Sequence, residues 1–269
     1  GTTPYTYNWA GGGSGPSKTS IGAGTYVTSI TDNAGCAITY TTTVTEPAAI
    51  VVNPTITNVA CAGGNTGAIS ISVSGGNGGY TYNWGGGITT QNRTGLAAGS
   101  YSVTVSDALG CTGVNTSSVT QNSSLTINAV AGNVSCNGGS NGTITVTPTG
   151  GTTPYTFNWG GGITTQNRSG LTSGSYTVTV NDNAGCSGTA SATISQPAAI
   201  SAATTVTNVS CNGGNNGAIS LTVSGGTSPY TFNWGGGINA QNRTALTAGS
   251  YNVTVTDNNL CTASATASV

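Results

Sequence analysis

Apolar and polar residues alternate one by one along most of this chain. Toward its end, Ile219, Leu221 and Val223 alternate with Ser220 and Thr222, and Tyr230, Phe232 and Trp234 with Thr231 and Asn233. Tyr251, Val253 and Val255 continue the pattern to Asp257, and Ala263, Ala265 and Ala267 alternate with Thr262, Ser264, Thr266 and Ser268. A period of two marks a strand with one buried face. A further short strand is expected over Thr204 to Val209, ending at Cys211. The runs between are Gly- and Asn-rich, as in Asn212 to Gly217, and such residues tolerate the positive φ that tight turns need. No stretch has helical periodicity. About seven short strands per unit predict an antiparallel sandwich.

The pattern is repeated. Trp9, Trp84, Trp159 and Trp234 are each 75 residues apart, within Pro-Tyr-Thr-Tyr-Asn-Trp and its near copies. Spacing without insertion or deletion means tandem copies of one unit. The aromatic strand carries the large side chains and is expected to build the core of each copy. Repeats are expected over 50–124, 125–199 and 200–269, the last nearly complete, with 1–49 a partial repeat lacking its first two strands. With no Met and no signal sequence, the chain is expected to be a window of a longer repetitive polypeptide.

The Leu-x-x-Gly-x-Tyr pattern at Leu246, Gly249 and Tyr251 predicts a tyrosine corner, with copies at Tyr176 and Tyr101 and a variant at Tyr26. The fold expected is therefore all-β: tandem immunoglobulin-like antiparallel β-sandwich repeats of 75 residues. Units this small bury thin cores and need covalent staples or neighbours.

Charge enters as a near absence. Charged residues make up 3% of the 269 and the net charge is −1, which leaves no electrostatic footprint for nucleic acid or anionic lipid. No apolar run is long enough to insert in a membrane. The charges recur with the repeat: Arg93, Arg168 and Arg243, with Lys18 in the matching place, and Asp32, Asp107, Asp182 and Asp257. One ion pair or turn-capping carboxylate per unit is expected, because a calcium site at Asp182 to Gly185 would want several carboxylates. The chain has no His and its acids are scattered, so neither an acid–base pair nor a triad can be assembled. No enzyme, no cofactor and no metal are expected. Asn92-Arg93-Thr94 and Asn167-Arg168-Ser169 are glycosylation sequons in form.

The seven cysteines fall into two series, Cys61, Cys136 and Cys211, and Cys36, Cys111, Cys186 and Cys261. Without CxxC or His, disulfides in an oxidising exterior are favoured over zinc, with free structural thiols as the alternative. Pairing inside a repeat would join Cys61 to Cys111, Cys136 to Cys186 and Cys211 to Cys261. In an immunoglobulin strand order these positions lie at opposite poles, roughly 23 Å apart along a seven-residue strand, whereas a disulfide needs Cα atoms within about 7 Å. Head-to-tail packing would instead join Cys61 to Cys186 and Cys136 to Cys261. Both schemes stand at this point.

The strings VSCNGGNNGAISLTVSGGTSPYTFNW and LTAGSYNVTVTDNNLCTASATASV resemble the SprB-type repeats of large adhesins on gliding bacteria of the Bacteroidetes group, and more distantly PKD-type immunoglobulin-like modules. The resemblance covers the whole chain. It implies a secreted cell-surface filament serving adhesion or gliding motility, exported by a type IX route. The expected function is a structural and adhesive stalk whose partners are neighbouring repeats, identical chains in a filament, or surface glycans. Two other readings are an array of carbohydrate-binding modules using exposed Trp or Tyr, and a filament in which incomplete units take strands from neighbouring chains.

Overall fold

Glycine-rich turns cut the chain into short strands, and the computed structural model, which describes all residues from Gly1 to Val269, has twenty-one of them and no helix. Residues 1–49 contribute β1 (Thr6–Trp9), β2 (Gly24–Thr31) and β3 (Ala37–Val44). The second repeat contributes β4 (Val51–Thr57), β5 (Gly67–Ser74), β6 (Thr81–Asn83), β7 (Arg93–Leu96), β8 (Gly99–Ser106) and β9 (Thr112–Val119). The third contributes β10 (Thr126–Gly132), β11 (Gly142–Thr149), β12 (Thr156–Asn158), β13 (Arg168–Leu171), β14 (Gly174–Asn181) and β15 (Ser187–Ile194). The fourth contributes β16 (Ser201–Thr207), β17 (Gly217–Ser224), β18 (Thr231–Asn233), β19 (Arg243–Leu246), β20 (Ser250–Thr256) and β21 (Thr262–Ser268).

Each complete repeat is two three-stranded antiparallel sheets face to face, ordered β4-β5-β7 and β6-β8-β9 in the second. The third and fourth repeats follow the same plan. In immunoglobulin terms these are strands A-B-E against C-F-G. The chain divides into two compact units, Gly1–Val59 with Gly64–Thr120, and Ala60–Gly63 with Gln121–Val269.

The core of each complete repeat comes from alternate residues of the central strands. In the third, Ile144 and Val146 of β11 face Val178 and Val180 of β14, with Leu171 and Ile194 closing the ends, and all are buried. Branched aliphatics suit this place because they are stiff at χ1 and fill a pleated, buried surface. Such a core contributes roughly 1.5–3 kcal/mol per side chain before chain entropy is subtracted.

The structure corrects three expectations. A complete repeat has six strands, not about seven, because residues between β12 and β13 form a loop rather than a further strand. The aromatic strand is a three-residue sheet edge rather than the main core builder; Tyr155, Phe157 and Trp159 are half-buried around an aliphatic centre, and only in the fourth repeat does its tryptophan, Trp234, join the buried core. The strand expected from Thr204 runs instead over Ser201–Thr207, since its register follows pairing with β17. Residues 1–49 have no A or B strand and no E strand either. The E strand pairs only with the B strand in every complete repeat, so without a B strand it has no ladder.

The inner face of the β1-β2-β3 sheet is consequently open, with Ile38 67% and Tyr40 63% exposed. These are not the residues that complete repeats carry there. The positions matching Ile38 are Gly113, Gly188 and Ala263. A Cβ on Gly113 would meet Ile50 Cγ2 at 2.7 Å, and one on Gly188 would meet Ile127 Cδ1 at 2.8 Å.

Candidate functional site

The chemistry of the chain gathers at the pole where the F and G strands turn. In the second compact unit, Asp182 follows β14 and its Oδ1 accepts backbone N–H groups from Ala184 at 2.9 Å and Cys186 at 2.8 Å. Its Oδ2 accepts the N–H of Thr152 at 2.9 Å. Asp257 does the same with Asn259, Cys261 and Thr227, and Asp107 with Leu109, Cys111 and Asn77. Asp32 repeats the pattern with Ala34, Cys36 and Thr2. The aspartates are therefore turn caps, and none forms the ion pair weighed in the sequence.

These hydrogen bonds favour the charged form. For Asp32, the N–H groups of Thr2 and Cys36 hold the carboxyl below its usual range. At Asp107 the Asn77 N–H leads, against burial, with the same result. At Asp182 and Asp257 burial pushes upward, but the N–H groups of Thr152 and Cys186, and of Thr227 and Cys261, outweigh it.

The cap fixes the backbone of a cysteine, and that cysteine is where repeats join. Cys136 bonds to Cys261 with Cα atoms 5.6 Å apart, and Cys61 to Cys186 at 5.5 Å. Of the two pairings weighed, the structure has the head-to-tail one. Cys36, Cys111 and Cys211 are free and exposed. Around Cys136, Gly138 N donates to Gln196 Oε1 at 2.8 Å, Asn137 Nδ2 to the Pro197 carbonyl at 2.9 Å, and Asn259 Nδ2 to the Ser135 carbonyl at 3.1 Å. Around Cys61, Gly63 N donates to Gln121 Oε1 at 2.8 Å and Asn122 Nδ2 to the Ala60 carbonyl at 3.0 Å. Sequence reasoning passed over these glutamines and asparagines, although Gln121 and Gln196 recur at the repeat spacing.

The arginines take a different place from the one the charge pattern implied. Arg168 lies between Trp159 and Tyr176, 5.6 and 5.4 Å from the ring centroids; Arg93 lies between Trp84 and Tyr101, and Arg243 between Trp234 and Tyr251. Lys18 sits 5.7 Å over Tyr26. A guanidinium against an aromatic face is an attractive stack. Trp84, Trp159 and Trp234 each donate the indole N–H to the carbonyl six residues on, as Trp9 does to Gly15. Trp234 is buried and the other three are half-buried. Tyr26, Tyr101, Tyr176 and Tyr251 each donate the phenol to the carbonyl four residues back, at 2.8–3.0 Å, which is the tyrosine-corner geometry.

A Gln-Asn pair pins the loop before each E strand. Gln166 Nε2 donates to the Val146 carbonyl at 2.7 Å, and Asn167 Oδ1 accepts the Val146 N–H at 2.9 Å. Gln91 with Asn92 does this to Ile71, and Gln241 with Asn242 to Leu221. Two side-chain amides thus stand in for a strand, satisfying a backbone edge that would otherwise be unpaired.

The family model described as SprB repeat matches residues 53–89, 128–164 and 203–239. No curated protein matches the chain. Among solved structures, the five-domain immunoglobulin fragment of Sidekick-1 overlaps 98% of this chain and 73% of its own at 11% identity, with a TM-score of 0.39. An eight-domain fragment of Down Syndrome Cell Adhesion Molecule overlaps 98% and 45% at 14% identity and a TM-score of 0.31. A three-domain fragment of titin overlaps 84% and 98% at 11% identity and a TM-score of 0.32.

Proposed function

Because the chain carries three SprB repeats, we propose that it is a structural and adhesive stalk segment of a large secreted cell-surface protein, of the kind that serves surface contact and gliding. The observation that carries the reading is the Cys136–Cys261 junction, where a disulfide and hydrogen bonds from Asn137, Gly138 and Asn259 fasten one repeat to the next. A chain built to transmit force needs its units fastened to one another rather than individually stapled. Its outward chemistry is hydroxyl and amide, with 3% charged residues, so contact with a surface would change little with salt.

Single-molecule pulling with both termini held tests the two halves of this proposal separately. Reduction of the disulfides is expected to lengthen the fully stretched chain by about 500 Å, because the interleaved bridges leave only the segment from Cys136 to Cys186 to carry the load between Cys61 and Cys261 and release roughly 150 residues at about 3.3–3.6 Å each. Equal contour before and after reduction would remove the mechanical half. Beads coated with the chain are expected to adhere to glass or polysaccharide gel equally at low and high salt. Adhesion no better than that of uncoated beads would remove the other half.

A further inference from the structure

Each complete repeat holds one cationic side chain, and its guanidinium has no acceptor. Arg93, Arg168 and Arg243 are half-buried, each between a tryptophan and a tyrosine whose ring centroids lie 5.0–5.7 Å away. Beyond those stacks none of the three donates a hydrogen bond or forms an ion pair. The carboxylates that could have answered them, Asp107, Asp182 and Asp257, are taken up by backbone N–H groups. No buried side-chain nitrogen is without a partner, so the free guanidinium N–H groups reach the surface. Stacking uses the flat of a guanidinium and leaves its N–H groups pointing outward in the plane. Lys18, in the matching place of residues 1–49, differs, because its ammonium donates to the Gly12 carbonyl at 3.0 Å. Arg168 stands in a repeat with one complete repeat before it and another after it, and its edge is as free as the other two.

We propose that this edge is a recognition point for a carboxylate, one per complete repeat, and that the ligand is an acidic polysaccharide bearing many of them. The proposal rests on the adhesive half of the reading above and names the chemistry of the surface met. Two parallel N–H groups of a guanidinium match the two oxygens of a carboxylate. The charges match as well: one guanidinium balances one carboxylate, whereas a phosphate ester brings up to two charges. The rings hold the fork in place before the ligand arrives, which lowers the ordering cost of binding. A single half-exposed pair is weak, so a free uronate monomer should not be held measurably. Three such sites on one chain, meeting a polymer with a carboxylate on every sugar, gain through effective concentration. The surface around them is hydroxyl and amide with few charges, and it suits a partner whose remaining groups are hydroxyls.

The full chain would be passed over immobilised polygalacturonate, its methyl ester, dextran sulfate and poly-glutamate, with binding read by surface plasmon resonance. Binding to polygalacturonate at least tenfold tighter than to the other three is the expected result. Salt should weaken it by screening, unlike contact through the neutral polar surface. Replacing all three arginines together (Arg93→Lys, Arg168→Lys and Arg243→Lys) keeps the charge and removes the fork. That variant should bind about tenfold more weakly while circular dichroism shows the same fold. Equal binding to the methyl ester would overturn the proposal, and so would a lysine variant that binds like the parent chain. Equal binding to dextran sulfate would overturn the carboxylate, and equal binding to poly-glutamate the polysaccharide. None of these failures touches the stalk reading, which stands or falls on chain pulling and on adhesion to a neutral gel.

Discussion

Asp182 shows how much one residue does in a chain so poor in charge. Its carboxylate accepts N–H groups from Thr152, Ala184 and Cys186, fixing the turn and the backbone of the bridging cysteine together. Its pKa, like those of Asp107 and Asp257, lies below the usual value. A group lowered in the folded state stabilises above its unfolded pKa of about 3.9 and loses that contribution as pH falls through the folded value. The melting temperature should therefore be level from neutral pH to about 5 and fall below about 4. Asp182→Asn should melt lower at neutral pH and show a shallower acid fall, which calorimetry across pH would check. Arg168 is the second test at this scale. Arg168→Ala removes a guanidinium held by two rings and should cost about 1–2 kcal/mol, with Arg168→Lys recovering only part; denaturant unfolding followed by Trp fluorescence measures both. The caps were half legible in the sequence, because a recurring Asp ahead of Cys signals a turn. The arginine was not, since its recurrence beside an equally recurrent Asp fits an ion pair just as well.

Between residues and repeats, the strands themselves were largely legible where burial dictates the period. The alternations through Ile219 and Leu221 and through Val253 and Val255 are β17 and β20, and those side chains are buried. The same logic misplaced the centre of the sandwich, because alternation reports that one face is covered and not by how much. Aromatics over a sheet edge alternate as cleanly as aliphatics in the middle. The Gln-Asn pins were hidden for another reason, since polar residues in a Gly-rich loop carry no periodic signal until their partners on the neighbouring strand are known. Strand A packing also sets an asymmetry that can be tested. Gly188→Ile would drive a side chain into Ile127 and should cost about 1–3 kcal/mol through overpacking. Ile38→Thr at the matching position of β3, where the side chain is 67% exposed, keeps a β-branched residue in the strand and should leave stability nearly unchanged. Thermal melts of the two variants decide it. The same bulk weighs against a borrowed strand seated on β3 as β4 sits on β9, because it would meet Ile38 where its counterpart finds Gly113.

At the scale of the whole chain, the repeat period could be read from four tryptophans alone, but the pairing of cysteines could not. Two series of identical spacing fit bonds within a repeat or between repeats equally well. The choice turned on which pole each strand end reaches, and that is a property of the folded sandwich. The pairing found has a further effect, which concerns damage. Cys136 lies between Cys61 and Cys186, and Cys186 lies between Cys136 and Cys261, so the two bridges interleave. A protease that cuts once anywhere between Cys61 and Cys261, after Arg93, Arg168 or Arg243 for instance, leaves the two fragments covalently joined by at least one bridge. Between Cys136 and Cys186 both bridges span the break. The chain behaves there like a laced cord, in which one severed strand is carried by the crossing on either side, and only a second cut or a reductant lets it part.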